Sequence, residues 1–380
     1  MATEELNTFR DCFSPVEDPR IDRCKKHNLL DIIGLCLLGV ICGCDTWVEI
    51  EEYGEEKLGF LQAHFGFKNG IPSHDTIGRV MSLLDPIQFN EALVNWTKLI
   101  TRKIQGEVIA IDGKAARGSS DANNGKKYIT MVSAWAKENG LCLAHHKVTD
   151  KSNEIHAIPE LLKDIDITDC IVTIDAMGTQ KEIAKLIKEG RGDYILALKG
   201  NHGTLYEEIK STFNHIEKHE KIYTETEVDK GHGRIEKRTI KAMTTSQAER
   251  WMVKSDYADW QGLEMFICVE SERIIKDEIQ KSSRYYLASL KLDGLKQGTL
   301  NASIRSHWSV ENSLHWSLDV TFREDYSQVR TGHADQNFST LRKVALNLLK
   351  KNSRKASIKR KRLKAGWNNE FLIQILNPDL

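Results

Sequence analysis

The chain has 380 residues, of which 40% are hydrophobic and 28% are charged, and its 54 basic side chains balance 54 acidic ones. This is the composition of an ordinary globular protein, and the length is sufficient for two or three domains. A formal charge of zero neither requires nor excludes a polyanionic partner.

Cysteine spacing and hydropathy indicate the cellular compartment in which the protein is expected. The eight cysteines lack paired spacing, which is typical of reduced intracellular thiols with structural roles. The most apolar segment, residues 29–44, contains Asp31 and is too short to cross a bilayer. The residues after Met1 lack the layout of a signal peptide. We therefore expect a cytoplasmic protein without a membrane partner.

The first part of the chain is predicted to be helical. From about residue 25 to 105 apolar residues recur at helical spacing, with interruptions at Gly43, Gly54 and Asp85-Pro86. Ser73, followed by a polar turn and an apolar series, predicts a capped helix start. Residues 1–105 are therefore predicted to form an all-helical amino-terminal domain.

The pattern changes at Val108 to short β-rich runs, which lie at residues 108–112, 128–137, 141–149, 171–175 and 194–199. Helices are predicted over residues 154–163 and 180–189, and Asn139-Gly140 predicts a hairpin. This order predicts a mixed sheet with right-handed crossovers.

The chain from residue 106 onward is predicted to contain this domain in three parts, followed by a tail. Residues 106–200 begin the domain, residues 201–295 are predicted to be a β-rich insertion, and residues 296–350 complete it with helices. Residues 351–380 are predicted to be a basic tail. The stretch 350–364 holds nine Lys or Arg and no acid, which is typical either of a nucleic-acid footprint or of a solvated tail.

Three acidic residues stand out as candidate catalytic and metal-binding groups. Asp112 and Asp175 each end a run of apolar, largely β-branched residues, and open α/β sheets bind ligands at such strand ends. Glu311 lies in a helical segment, where a helical wheel places it on the apolar face. A buried carboxylate needs a partner. Together the three favour a site for divalent metal and phosphoryl transfer.

Other interpretations of these residues stay open. A single aspartate at a strand end is more often a turn former, and Glu311 could pair with Arg305 or with a histidine. His307, Glu311 and His315 share one helical stripe, which could bind zinc or a di-iron centre, but no further motif completes such a site. A hydrogen-bonding or phosphate-contacting role for these histidines is preferred.

Basic and polar residues near the acids are candidate DNA contacts, because Lys and Arg beside metal-binding carboxylates commonly position phosphates. Each could equally be a plain surface group. The candidates are Lys114, Arg117, Lys199, Asn201, His202, Arg305, His307, Asn312 and His315.

Several motifs closely resemble the bacterial insertion-sequence transposases that include the H-repeat-associated proteins. These motifs are AIDGK at 110–114, TIDAMG at 173–178, LKGN at 198–201 and HWSVENSLHWSLDV at 307–320. DPR at 18–20 and NGIPSHDT at 69–76 extend the resemblance into the helical domain. It therefore covers nearly the whole chain.

The resemblance implies a ribonuclease-H-like catalytic domain of the Asp-Asp-Glu type. Asp112 and Asp175 would lie on its first and fourth strands and Glu311 on the following helix, with a β-rich insertion before Glu311. The wider superfamily carries Tyr, Arg and Lys around this glutamate, where the present chain has Ile304, His307 and Leu318. Which residues hold phosphate therefore stays open among His307, Asn312, His315 and Arg305.

The resemblance also implies the chemistry and the partners. Two Mg²⁺ ions about 3.5 to 4 Å apart, with Mn²⁺ expected to substitute, would activate water or a DNA 3′-hydroxyl and stabilise the leaving oxygen. The partners would be double-stranded DNA, as element ends and target, and further copies of the chain in a homodimer or higher multimer, in a nucleoid-associated protein. A domesticated or inactive DNA-binding protein and a metal-dependent nuclease without strand transfer remain alternatives.

Overall fold

The computed structural model describes residues 7–148, 154–231, 234–253, 257–275 and 278–377. By their internal contacts the residues divide into two compact units. The first unit comprises Met1–Lys103, Gly113–Thr149 and Glu311–Leu380, and the second comprises Ile104–Asp112 and Asp150–Val310.

Six helices form the amino-terminal part of the first unit, which confirms the predicted helical region. They are α1 (Asn7–Phe13), α2 (Leu29–Cys42), α3 (Trp47–Glu56), α4 (Leu58–His64), α5 (His74–Leu83) and α6 (Pro86–Ile100).

The boundaries of these helices follow from local chemistry. The Asn28 side chain accepts a hydrogen bond from the backbone of α2, and Gly43 ends that helix with φ at 116°, a conformation that favours glycine. Ser73 caps α5 as predicted. Asp85 caps α6, in which Pro86 takes the first position.

No single helix in the described ranges has the length and apolar character needed to cross a bilayer. Helices α2 and α3 together have sufficient length and apolar character, but they are bent by 96° relative to each other.

The described strands number nine. They are β1 (Val108–Ala116), β2 (Ile129–Ala136), β3 (Leu141–Lys147), β4 (Ile171–Ile174), β5 (Asp193–Leu198), β6 (Tyr223–Gly231), β7 (Arg234–Thr244), β8 (Met265–Ile275) and β9 (Glu278–Ala288). Thr149, predicted as the end of the third strand, lies outside the described residues.

In the second unit the strand order is β1-β4-β5-β9-β8-β7-β6. Strands β1, β4 and β5 are parallel neighbours, and β5 pairs antiparallel with β9. The residues predicted as a β-rich insertion do supply the four strands β6 to β9. These strands continue the sheet from β5 by backbone hydrogen bonding and do not form a separate layer.

In the first unit β2 and β3 form the predicted hairpin, with Gly140 at φ 68° in its turn. Its backbone is also paired with a later helix. The amide of Asn347 donates to the carbonyl of Cys142 at 2.8 Å and accepts from its N–H at 2.9 Å. One buried side chain thereby satisfies a backbone donor and acceptor of β3.

The remaining helices are α7 (Glu154–Asp164), α8 (Lys181–Glu189), α9 (Gly203–Ile216), α10 (Thr245–Ala248), α11 (Thr299–Ser309), α12 (Ala334–Lys351), α13 (Ile358–Trp367) and α14 (Asn369–Leu376). Two π-helical turns, Val310–His315 and Ser317–Thr321, follow α11.

The prediction of a basic tail over residues 351–380 is wrong for the part that the structure describes, because that part forms α13 and α14. Lys361 and Arg362 are buried although charged. The Lys361 ammonium donates to the carbonyls of Leu349 and Asn352 at 2.8 and 2.7 Å. These carbonyls lie at the end of α12 and have no partner within that helix, so a cation there satisfies them.

A substitution in α14 distinguishes a packed helix from a tail. Phe371 is 4% exposed, so Phe371→Ala is expected to lower the free energy of unfolding by about 3 to 5 kcal/mol through lost burial and a cavity. Gln374 is exposed on the same helix, and Gln374→Ala should change the free energy by no more than about 0.5 kcal/mol. Urea denaturation followed by circular dichroism measures both, and equal values would contradict the packing.

Candidate functional site

Strand pairing in the second unit brings Asp112 and Asp175 together. Ile111 of β1 pairs in parallel register with Ile174 of β4, so Asp112 and Asp175 occupy the next position of neighbouring strands. Such strands lie about 4.8 Å apart, and residues in register leave the same face of the sheet. The apolar residues before each aspartate are buried, whereas both aspartates are half-buried. Two carboxylates therefore converge at one edge of a buried sheet.

The turn after β4 fixes Asp175. Its Oδ1 accepts hydrogen bonds from the backbone N–H groups of Met177 and Gly178 at 3.0 and 3.4 Å. A Cβ at Gly178 would collide with the Ile174 side chain, so glycine is required there. Asp175 is thus a turn former, as the simpler interpretation holds, and it also lies at the ligand-binding end of the strand.

The charge of Asp175 acts on a histidine and on a second acid. The His307 Nδ1 lies 3.2 Å from the Thr173 hydroxyl on β4. Burial lowers the pKa of His307, and Lys199 lowers it further, while Asp175 acts in the opposite direction. Burial and the charge of Asp175 raise the pKa of Glu154. Around Asp175 the second unit therefore gathers a neutral imidazole, a cation and a second acid.

Sequence reasoning does not single out Glu154. A glutamate in the first turn of a helix is typical of an electrostatic cap, and Glu154 begins α7. Its relation to Asp175 depends on how α7 packs, for which the sequence carries no local signal.

Two of the candidate DNA contacts, Asn201 and His202, form hydrogen bonds with backbone carbonyls. The Asn201 amide donates to the carbonyl of Ala176 at 2.7 Å, and the His202 Nε2 lies 2.7 Å from the carbonyl of Thr179. These bonds join the loop after β5 to the loop after β4. Lys199, beside them, is exposed and is the group of this loop that can present positive charge.

Arg305 is exposed but is paired with acids on β6. Its guanidinium lies 3.5 Å from Glu227 and 3.7 Å from Asp229. The sequence offered Arg305 as a possible partner of Glu311, whereas the ion pairs described for Arg305 are with Glu227 and Asp229. A DNA contact by Arg305 would have to compete with them and stays a prediction.

In the first unit Lys114 lies in an ion cluster. Its ammonium is 2.7 Å from Asp319, 3.1 Å from Glu324 and 3.3 Å from Asp325. Burial disfavours the charged amine, but the three carboxylates outweigh it and raise the pKa of Lys114. The positive charge is compensated inside the protein, which does not favour the predicted phosphate contact. Arg117 has a side chain that is 81% exposed.

Glu324 is the buried centre of this cluster. It is 2% exposed and accepts from the Ser339 hydroxyl at 2.8 Å, which in turn accepts from Lys343 at 2.6 Å. Burial would raise the pKa of Glu324, yet Lys343, Lys114 and Arg342 lower it to about 2. The carboxylate is therefore ionised and stabilises the fold through buried ion pairs.

Glu311 does not lie on a buried face, which corrects the helical-wheel prediction. Glu311 and Asn312 are exposed and His315 is half-buried. The residues from Val310 onward form π-helical turns, whose hydrogen bonds span five residues and wind the chain less per residue than an α-helix. Leu314, Leu318 and Phe322, which share the apolar face of that wheel, are buried, so the correction applies to Glu311 and not to the face as a whole.

Within the described ranges no three His, Cys, Asp or Glu side chains are grouped so that they could hold a metal ion. This finding covers both the acidic trio and the stripe of His307, Glu311 and His315. Mg²⁺ is usually bound through one or two carboxylates together with substrate phosphates rather than by an all-protein cage. The pair Asp112 and Asp175 fits that donor set.

The sequence matches two family models of transposases. Residues 10–97 match the family model described as DDE_Tnp_1-associated, and residues 103–348 match the model described as Transposase DDE domain. The chain is 39% identical over 378 residues to "Putative transposase YncI" of Escherichia coli O157:H7, which covers 98% of this chain and 95% of that protein. It is 37% identical to "H repeat-associated putative transposase YhhI" of Escherichia coli K12, over 98% of each chain.

The solved structures with similarity to this chain include a chain of the "Cryo-EM structure of piggyBac transposase synaptic complex with hairpin DNA". Its TM-score is 0.45, with 12% sequence identity over 98% of this chain and 78% of that one.

The ion cluster generates a prediction about stability and pH. Glu324→Gln leaves buried cations without their partner and is expected to lower the free energy of unfolding by about 3 to 5 kcal/mol. Because folding lowers the pKa of Glu324 from 4.5 to about 2, its contribution is complete above pH 4.5 and is lost as the pH falls towards 2.

Denaturation curves between pH 2 and 7 measure this contribution. The difference between wild type and Glu324→Gln should shrink as the pH falls through that window. Glu91 is exposed in the same unit, and Glu91→Gln serves as the control with no such difference. A constant difference at every pH would contradict an ionised Glu324.

Proposed function

Because the chain belongs to the DDE transposase family, we propose that it is an enzyme that cleaves DNA at the ends of an insertion sequence and joins those ends to target DNA. Its membership confirms the resemblance that the motifs indicate. The observation that carries the proposed catalytic activity is the parallel register that sets Asp112 beside Asp175.

The two aspartates would hold Mg²⁺ together with substrate phosphate, in a site that takes two ions and accepts Mn²⁺. When bound, the metal lowers the pKa of the attacking water or hydroxyl and stabilises the leaving oxygen. Two ionised carboxylates at neighbouring positions repel each other, and a divalent cation bound between them would offset that repulsion.

Glu311 is proposed as the third acid. It follows α11, and α11 is joined to β4 by the contact between His307 and Thr173. Its carboxylate is exposed and lies in a π-helical turn, a feature that is frequent at functional sites. These observations support a role in the reaction without fixing the arrangement of the three acids.

Other residues of the second unit would hold the substrate. Lys199 is exposed beside Asp175 and would attract a phosphate. His307, neutral at physiological pH because its pKa is lowered, would donate or accept a hydrogen bond without adding charge. We further propose a ribonuclease-H-like arrangement, which the adjacent positions of Asp112 on the first strand and Asp175 after the fourth support, and a multimer on DNA.

One observation favours a second candidate, an inactive DNA-binding descendant of a transposase. The described residues contain no group of three potential metal ligands. Such a descendant would bind DNA without cleaving it under any metal condition.

Substitution of the acids tests the proposed catalysis. Asp112→Asn, Asp175→Asn and Glu311→Gln should each reduce Mg²⁺-dependent cleavage by at least about 10³-fold, because each removes a charge that acts only with the metal and the reacting phosphate. DNA affinity without metal should change little. Cleavage is measured on a plasmid that carries the DNA flanking the coding region.

The matched control for these variants is Asp293→Asn, which replaces an exposed acid of the second unit and should cleave as the wild type does. Cleavage retained in one acid variant would remove that residue from the site. If the wild type binds the plasmid but cleaves it with neither Mg²⁺ nor Mn²⁺, the inactive candidate is favoured.

Strand transfer separates a transposase from a nuclease. Supplied with a pre-cleaved element end that carries a 3′-hydroxyl and with a second duplex, the wild type is expected to join the two by the same displacement chemistry. Gel analysis of labelled ends detects the joined product. Hydrolysis without joining would identify a metal-dependent nuclease.

A further inference from the structure

The cations of the basic stretch 350–364 fall into two groups in the folded chain. Lys361 and Arg362 of α13 are buried. Arg362 donates to the carbonyl of Val40 at 2.9 Å and lies 3.3 Å from Asp45. These cations are part of the packing of the first unit and cannot contact a partner.

The other cations face outward. Lys355, Lys359 and Arg360 are exposed, and none of the ion pairs in the described ranges includes them. Residues 359, 363 and 367 follow one another at intervals of four and so lie along one side of the helix. Leu363 is 42% exposed and Trp367 is 77% exposed. We name Lys355, Lys359, Arg360, Leu363 and Trp367 the α13 stripe.

Solvation alone is the usual explanation of exposed cations, but two features of the stripe go beyond it. Residues 350–369 contain no acid, so no neighbour in the sequence compensates the charge. A tryptophan with three quarters of its surface in water is unusual in a folded protein. The stripe therefore combines uncompensated positive charge with an exposed aromatic ring, the combination typical of nucleic-acid surfaces.

The start of α13 adds to the positive potential. Ser357 caps the helix by accepting a hydrogen bond from the Arg360 N–H at 3.3 Å. The partial positive charge of a helix amino terminus favours an anion, and Lys355, Lys359 and Arg360 lie at that end.

We propose that the α13 stripe binds the sugar-phosphate backbone of duplex DNA. This inference rests on the proposed function for its partner and extends it to a surface distant in sequence from the acidic residues. The three cations contact phosphates, which makes the interaction independent of base sequence. Leu363 and Trp367 pack against the sugars beside those phosphates.

The salt dependence of binding tests the stripe. The triple variant Lys355→Gln, Lys359→Gln and Arg360→Gln should bind a duplex more weakly and should lower the slope of log K against log salt by about 2 to 3, close to 0.9 for each lost phosphate contact. Fluorescence anisotropy in EDTA over a salt series measures this slope. Thermal unfolding should be unchanged, because these side chains are exposed.

A matched triple variant removes the same number of charges elsewhere. Lys218, Lys221 and Lys296 are exposed and belong to the second unit. Their replacement by Gln should leave the slope within about one unit of wild type. An equal loss in both triples would mean that binding follows total charge, and an unchanged slope in the α13 triple would exclude the stripe. Either result overturns the proposal.

A substitution at Trp367 tests whether the stripe binds duplex or single-stranded DNA. Trp367→Ala should weaken duplex binding without changing the salt slope, because an uncharged side chain releases no counterions. If it weakens binding of a single strand of the same length and leaves duplex binding unaltered, the stripe stacks bases and the assignment to duplex is wrong.

Metal-free binding keeps this test separate from the proposed catalysis. The Asp112→Asn protein should show the same salt slope as wild type in EDTA. Normal cleavage by that variant would exclude Asp112 from the catalytic site without affecting the proposal that the stripe binds DNA. If the α13 triple variant keeps the wild-type salt slope, the stripe is excluded as a DNA contact and the proposed catalysis is unaffected.

Discussion

The parallel register of β1 and β4 is the constraint on which the candidate site depends. Hydrogen bonding between the strands fixes Ile111 against Ile174, and the two aspartates that follow then have no freedom to move apart along the strands. A shift by one residue would turn either aspartate to the opposite face. The fold thus holds two carboxyl groups at neighbouring positions, which is the donor set through which Mg²⁺ usually binds together with substrate phosphate.

Charge is handled differently two residues further along β1. Lys114 is enclosed by Asp319, Glu324 and Asp325, whereas Asp112 precedes it on the same strand. A buried ion cluster of this kind is weak evidence for stability in itself, but the loss of one partner leaves an uncompensated charge. The motif positions 112 and 114 therefore differ in role: Asp112 is a candidate catalytic acid, and Lys114 fixes the segment carrying Asp319 and Glu324 against β1.

The sequence was sufficient to predict the strands, the hairpin and the helical amino-terminal region, because runs such as 108–111 and 171–174 and the turn Asn139-Gly140 carry local signals. It was not sufficient for Glu311, because the burial of a carboxylate on the apolar side of a helical wheel depends on what the fold packs against it, and Glu311 is exposed. It also misassigned the basic segment, because the burial of Lys361 depends on carbonyls at the end of α12 that only the folded chain brings near. Charge counts do not distinguish a cation that packs from one that binds.

The two groups of cations in α13 illustrate why that distinction matters for function. A helix that used all its basic residues for binding would lack the contacts that Lys361 and Arg362 make within the first unit, and one that buried them all would present no charge. Arg362 anchors α13 through the carbonyl of Val40 and the carboxylate of Asp45, so the outward cations are held on a fixed helix rather than on a mobile tail. A fixed array loses less conformational entropy on binding a regular polyanion than a flexible one does, which is the physical reason to expect exposed cations such as Lys359 and Arg360 on the same helix as the packed ones.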